Sequence, residues 1–224
     1  MTIKISAALL LGAILLPASD NTKRLDEAAS VFSEVMGIAD KSIPQTLLDK
    51  SECIVIVPGM KKAAFIFGAK YGRGFVNCRK KGGVGWGAPG SVRVEGGSFG
   101  LQIGGSETDV IMLVMNQRGT QRLLQSKFTL GGDASAAAGP VGRTATAETD
   151  AMFRAEILTW SRARGLFAGI SLQGATLRQD LDVNKELYGK ELENKDIVFA
   201  ALPPPAASAQ LMKLLNKYSS RQSK

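Results

Sequence analysis

The spacing of apolar positions changes character twice along the chain. In "DNTKRLDEAASVFSEVMGIAD" apolar residues fall at Leu25, Ala28, Ala29, Phe32, Val35, Met36 and Ala39. That spacing lines one face of an amphipathic helix. Asp20 or Asn21 can cap its start, and Gly37 weakens or ends it. "SIPQTLLDKSE" predicts a second, short helix with Pro44 in its first turn. From Cys53 the period becomes two. "CIVIVP" is a short apolar strand stopped by Pro58, and "AAFIFGAKYGRGFVNCR" is one or two strands. "SVRVEGGSFGLQIGG" alternates twice around Gly96-Gly97, a hairpin turn signal. "DVIMLVM" is apolar throughout and suits a strand buried on both faces. "NQRGTQRLLQSK" is a short helix at best. "ILTWSRARGLFAGISLQG" is two strands about a turn at Arg164-Gly165. The pattern predicts an α+β fold: a curved or closed antiparallel meander of short, glycine-rich strands, with helices at both ends.

Two small-residue stretches bear on this picture. "GGDASAAAGPVGRTATAET" has the composition of a linker, but it lies between strands, so it is expected to be ordered, close-packed extended chain. In "GLFAGISLQG", Leu166, Ala168, Ile170 and Leu172 are expected on one face and Phe167, Gly169, Ser171 and Gln173 on the other. The second face would admit another backbone or a lipid. An intramolecular partner, the segment Ala134–Gly142, is the favoured reading.

Composition then narrows the function. Of the 25 glycines, 22 lie between Gly59 and Gly174, where close backbone approaches are therefore expected. The first 18 residues have one lysine, Lys4, an apolar run to Leu16 and a small-residue exit at Pro17-Ala18. This is the order of a secretory signal peptide, and its loss lowers the formal charge from +8 to +7. In an exported chain the only two cysteines, Cys53 and Cys78, are expected to form a disulfide; two buried thiols are the alternative. With no histidine in the chain, neither a Ser-His-Asp nor a Cys-His arrangement exists. Two cysteines without histidine also make a poor zinc set. A carboxylate pair could still catalyse, and Asp133, Glu148, Asp150 and Glu156 are candidates by location; scattered acids in an exported domain are usually solvated, so a non-enzyme without cofactor or metal is expected.

Charge supplies the positive signal. Between Glu52 and Glu95 there is no acid but there are eight bases: Lys61, Lys62, Lys70, Arg73, Arg79, Lys80, Lys81 and Arg93. An anionic surface is one reading, since bases near an anionic membrane contribute about 1 kcal/mol each. A solvated basic face fits equally well. Trp86, in "GVGWGAPG", suits either a membrane interface or the core. Nucleic acid is disfavoured, because no aromatic array accompanies the bases. After Pro203–Pro205, residues Leu211, Leu214, Leu215 and Tyr218 share a helical face with Lys213 and Lys217 off it. That basic amphipathic helix can lie on lipid or dock on the domain.

Four blocks in order, "GGSFGLQIGGSETDVIMLVMN", "SKFTLGGDASAAAGPVGR", "AEILTWSRARGLFAGISLQGATL" and "DVNKELYG", resemble the SYLF family of lipid-binding domains. The resemblance runs from about Ser51 to Gly189. With the signal peptide and cysteine pair, it is to the bacterial exported branch. It implies an α+β domain that binds phospholipid head groups; eukaryotic members are associated with phosphoinositides and some with actin, specificities not carried over here. The expected organisation is a signal peptide at 1–18, a helical segment at 19–50, a SYLF-like β-rich domain at 51–200, and a Pro-rich linker with a basic helix at 201–224. The expected role is non-catalytic binding of anionic phospholipid in the periplasm or envelope. Its expected contacts are Lys61, Lys62, Lys70, Arg73, Arg79, Lys80, Lys81 and Trp86. An envelope structural or protein-interaction module is the alternative, with a protein partner in the envelope.

Overall fold

The structure, a computed structural model, describes residues 19–38, 42–64, 67–99, 104–142, 154–163, 166–169, 172–200, 202–219 and 221. The predicted signal peptide, Ala39, the turn at 164–165, Ile170, Ser171, Glu148 and Asp150 lie outside them.

Helix α1 (Asp20–Gly37) buries Leu25, Ala28, Ala29, Phe32, Val35 and Met36, the stripe that its spacing dictates. Its cap is Ser19, whose Oγ accepts from the Thr22 N–H at 3.3 Å. Helix α2 (Gln45–Lys50) follows Pro44 directly. Then come β1 (Cys53–Ala64), β2 (Phe67–Cys78), β3 (Gly90–Phe99), β4 (Gly104–Val114), helix α3 (Gln117–Leu123), β5 (Lys127–Thr129) and β6 (Ala136–Ala138). Strands β7 (Ile157–Ala163), β8 (Leu166–Gly169) and β9 (Thr176–Gln179) complete the described sheet. Helices Leu181–Tyr188, Asn194–Val198 and Ala209–Tyr218 close the chain.

The strands form one sheet in the order β5-β9-β3-β2-β1-β4-β7-β6, with β8 also on β7. Its pairings are antiparallel except β6 with β7, which is parallel. The two outermost strands, β5 and β6, are joined by residues 130–135, and Leu130 bridges Ala134. The sheet therefore curls until its edges meet, which leaves an inside and an outside. Alternation sorts β1 accordingly. Cys53, Val55 and Val57 join Val76, Val92, Val110, Phe128 and Leu177 inside the curl. Ile54 and Ile56 join Phe75, Ile111, Leu113 and Trp160 outside it, beneath α1 and the C-terminal helix. An apolar run on a strand means both of its faces are covered.

Three expectations fail for physical reasons. Strand β1 does not stop at Pro58. It bulges there, with register shifts on both neighbours, and Gly59 takes φ +56°. The bulge presses on β2, where a Cβ at Gly74 would lie 2.1 Å from the Ile56 carbonyl oxygen, so only glycine fits. Gly96-Gly97 is not a turn, since β3 runs straight through and pairs both residues with Lys70 and Ala69. On β8 the expected alternation holds, with Phe167 on the covered face and Leu166, 69% exposed, on the other. The segment from Ala134 serves β7 rather than β8. Ala136–Ala138 pair with Ile157–Thr159, and Gly139 lies against the Trp160 ring. Trp160 Nε1 donates to the Pro140 carbonyl at 2.9 Å.

Candidate functional site

The uninterrupted basic block does not make one surface. Cys53 lies opposite Cys78 at one end of the β1–β2 pair, while Lys62 lies opposite Lys70 near the other. Nine residues of extended strand separate Cys53 from Lys62, about 30 Å. The block therefore divides between two ends, with Arg73 and Arg93 on the sheet between them.

At the first end the two cysteines are joined as a disulfide, with Cα atoms 4.0 Å apart. The next residue, Arg79, is buried at 3% exposure and forms no part of a lipid-facing surface. Its guanidinium donates to the Leu48 carbonyl at 3.0 Å, to the Ser51 carbonyl at 3.3 Å, and to the Ser219 carbonyl and hydroxyl. Burial pushes its pKa down to about 10, with nearby Arg221 adding to the effect, so it stays charged at neutral pH. Trp86 is fully buried too, which rules out insertion into a membrane in this structure. Arg79 sits 3.8 Å above its ring centroid, and its indole N–H donates to the Ser219 carbonyl at 2.7 Å. Of the two readings of Trp86, the core reading holds. The C-terminal helix docks as well, burying Leu211, Leu214 and Leu215, and Tyr218 meets Phe32 edge to face at 5.7 Å.

What this end leaves exposed is the loop between Arg79 and Trp86. Gly82, Gly83 and Gly85 take φ of +94°, +80° and +71°, and the Gly83 N–H closes on the Lys80 carbonyl at 2.8 Å. This tight turn projects Lys80, Lys81 and Val84 into solvent. Beside it opens a mainly apolar cleft of about 500 Å³, lined by Trp86, Val198, Phe199, Leu202, Pro204 and Met212, with Lys80 and Lys81 in its wall. Val84 and Phe199, 43% and 42% exposed, are two of the four large apolar side chains exposed among the described residues. Sequence reasoning missed Val84, Phe199 and Leu202; the signal was an apolar pocket-former, "VFAALP", leading into the prolines.

At the second end, Lys61 is exposed opposite Tyr71 and Glu107, and Lys62 lies opposite Lys70 and Ser106. Partial burial, then the Lys62 charge, lower the Lys70 pKa. Arg73 pairs with Asp180 at 3.2 Å, and Arg93 with Glu95 at 3.1 Å. Of the four candidate carboxylates, Asp133 and Glu156 are described, and both accept internal hydrogen bonds. Asp133 accepts from the Thr129 N–H at 2.7 Å, and buried Glu156 accepts from Arg122 at 3.0 Å and from the Ser135 N–H at 3.1 Å.

The family model Ysc84, described as "Las17-binding protein actin regulator", matches residues 95–218. Over 212 residues the chain is 30% identical to SH3 domain-containing YSC84-like protein 1 of Rattus norvegicus, covering 92% of this chain and 62% of that protein. It is 34% identical over 181 residues to an SH3 domain-containing protein of Schizosaccharomyces pombe, covering 80% and 42%. It is 31% identical over 186 residues to LAS seventeen-binding protein 3 of Saccharomyces cerevisiae, covering 82% and 40%. The chain thus spans about three-fifths of the animal relative and two-fifths of the fungal ones. All three are eukaryotic, and none of their names describes a catalytic activity. By the match to more than half its length, the chain belongs to the Ysc84 family, whose domain is the SYLF domain that its sequence blocks resemble.

Proposed function

We propose that this chain is a non-catalytic lipid-binding protein of the cell envelope, exported by its N-terminal segment, that meets anionic phospholipid at the Lys80–Lys81 end. The observation that carries this reading is the cleft: an apolar recess with two exposed lysines in its wall and two exposed apolar side chains beside it. Each lysine near an anionic surface contributes about 1 kcal/mol. Val84 and Phe199 are already more than half buried, so covering the remainder with acyl chains adds about 1 kcal/mol each. Charge and apolar area lie together at this end; the tip with Lys61, Lys62 and Lys70 offers charge but, among the described residues, little besides Tyr71. An end-on approach through Lys80 and Lys81 leaves that tip facing away.

The test is co-sedimentation with phosphatidylglycerol–phosphatidylcholine vesicles against pure phosphatidylcholine. Lys80→Glu/Lys81→Glu is expected to weaken binding to the anionic vesicles at least tenfold. Raising the salt is expected to mimic it, because exposed charges are screened beyond about 8–10 Å at moderate ionic strength. Phe199→Ser is expected to weaken the part that salt does not remove. A folded charge-reversed variant that sediments like wild type overturns the assignment. A protein-interaction role is the second reading, favoured by the family description and by relatives that carry SH3 domains and a Las17-binding name. It takes over if the wild-type chain ignores anionic vesicles.

A further inference from the structure

Four strands set basic side chains in one row across the outer face of the sheet. Arg73 of β2 lies opposite Arg93 of β3, Arg93 opposite Arg178 of β9, and Arg178 opposite Lys127 of β5. Each alternates with residues that point into the curl: Val92 and Val94 flank Arg93, Leu177 precedes Arg178, and Phe128 follows Lys127. With neighbouring strands about 4.8 Å apart, the row is about 14 Å long. Like charges directly opposite one another destabilise a sheet. Among the described residues, two carboxylates answer them. Asp180, 2% exposed, lies 3.2 Å from Arg73 Nε. Glu95 lies 3.1 Å from Arg93 Nε and 3.4 Å from Arg178 Nε. Four cations against two carboxylates leave a net +2.

The hydrogen bonding is equally incomplete. Among the described residues, six buried side-chain nitrogen and oxygen atoms have no hydrogen-bond partner. They are the Nε atoms of Arg73, Arg93 and Arg178, both carboxylate oxygens of Asp180, and Oγ of Ser91, whose carbonyl accepts from the Asp180 N–H at 3.0 Å. All six belong to this one patch. The carboxylates meet the arginines at Nε as ion pairs, and no hydrogen bond from a terminal amino group of the three arginines forms among the described residues. Buried polar groups are nearly always satisfied, and four of these six are donors that an acceptor could meet: the three Nε–H groups and the Ser91 hydroxyl. The Asp180 oxygens are acceptors and keep their ion pair with Arg73.

We infer that this row is a binding site for a phosphate-bearing dianion. Guanidinium forks match the oxygens of a phosphoryl group in pairs, and a tetrahedral phosphate can accept from two neighbouring arginines at once. Two negative charges would neutralise the surplus. Side chains of the three arginines are 33–40% exposed, open enough to be reached and buried enough to strengthen the contact. The site does not depend on the membrane reading: seven residues of β2 and its following turn, about 23 Å, separate Arg73 from Lys80. The phosphate can belong to a free small molecule or to a lipid head group.

Titration calorimetry of the full chain with pyrophosphate at low salt, and sedimentation with phosphatidic-acid vesicles, separate those sources. Arg93→Gln/Arg178→Gln spares the Arg73–Asp180 pair and is expected to lower affinity at least tenfold in whichever arm binds. Glu95→Gln removes a competing carboxylate and is expected to tighten binding several-fold. Lys80→Glu/Lys81→Glu is expected to leave pyrophosphate binding unchanged, so this site and the membrane face fail separately. Binding in the calorimeter identifies a soluble ligand, and binding only to vesicles identifies a head group; either, lost in the double variant, supports the site. Absence of binding in both arms overturns it, as does a double variant that binds like wild type or a Glu95→Gln variant that binds more weakly.

Discussion

The two ends of the β1–β2 pair share one hydrogen-bonded ladder and little else. At the Cys53–Cys78 end the backbone is anchored by a disulfide, by an arginine that holds α2 to the C-terminal tail, and by a tryptophan whose N–H reaches that same tail. At the Lys62–Lys70 end the ladder continues as far as Ala64 and Gly68, but the side chains are lysine, alanine and glycine. Pairing alone fixes a strand's path; the side chains decide how firmly it is held. The end that carries the apolar cleft is thus built on the rigid part of the molecule. A binding surface gains from this, because less ordering is needed on contact.

The largest effect that separates the two ends is expected at Trp86. Trp86→Ala empties a fully buried site, which costs about 3–5 kcal/mol. For a chain of this size that lowers Tm by roughly 10–15 °C, at about 2–4 °C per kcal/mol. Arg79→Ala is expected to reach a similar cost, because four carbonyl and hydroxyl oxygens lose a buried donor. Calorimetry or urea unfolding checks both. A loss under 1 kcal/mol at either position means that the C-terminal tail is not held there, and the contrast between the ends collapses.

The cysteine pair comes next. Closing a loop of 25 residues restricts the unfolded chain, so Cys53→Ala/Cys78→Ala is expected to lose about 3 kcal/mol. Hydrogen exchange sharpens the comparison. Protection is expected to fall around β1 residues 53–57 and hardly at all near Lys62. Uniform loss along β1 would show instead that the pair unfolds as one unit.

What the sequence made legible follows from where each decision is taken. The α1 stripe and the doubly apolar "CIVIV" and "DVIMLV" are local patterns, and each lies in an element of the type its spacing predicts, although β1 runs on past Pro58 and β4 starts at Gly104. Of the small-residue segment at 131–149, the part up to 142 is described and was legible as packed chain, because a linker would not need alanine; residues 143–149 lie outside the described residues. Trp86 was not legible. Its loop is glycine-rich in either reading, and its burial depends on Ser219, more than 130 residues away. Pro58 and Gly96-Gly97 mislead for a related reason. A stop and a bulge look alike in one strand, and the difference lies in Gly72 and Gly74 across the ladder, which leave room for the bulge. The glycine pair is kept in the strand by β2 on one side and by the Ala175 backbone, 3.3 Å from where a Cβ of Gly96 would sit. The arginine row was invisible as a row, since only the register brings Arg73, Arg93 and Arg178 together.

The smallest effect is expected at the exposed tip, and it tests the orientation of the whole molecule. Lys61 and Lys62 carry the same formal charge as Lys80 and Lys81, so a membrane attracted by net charge alone would respond equally to either pair. The surroundings differ. Lys61 already faces Glu107 across β1–β4, and Lys62 faces another lysine. Lys62→Glu converts that like-charged pair into an opposite-charged one, which is expected to gain a few tenths of a kcal/mol and to raise the Lys70 pKa toward its ordinary value. Lys61→Glu loses a comparable amount by facing Glu107. The double variant Lys61→Glu/Lys62→Glu is therefore expected to change stability by less than about 0.5 kcal/mol. Its binding to phosphatidylglycerol vesicles is expected to fall less than threefold, against tenfold or more for Lys80→Glu/Lys81→Glu. Side-by-side sedimentation of the two double variants decides the matter. Equal losses mean that the chain lies flat and meets lipid along the length of β1 and β2. A larger loss at Lys61 and Lys62 turns the molecule over, puts the glycine-rich tip on the membrane, and leaves the apolar cleft to face another partner.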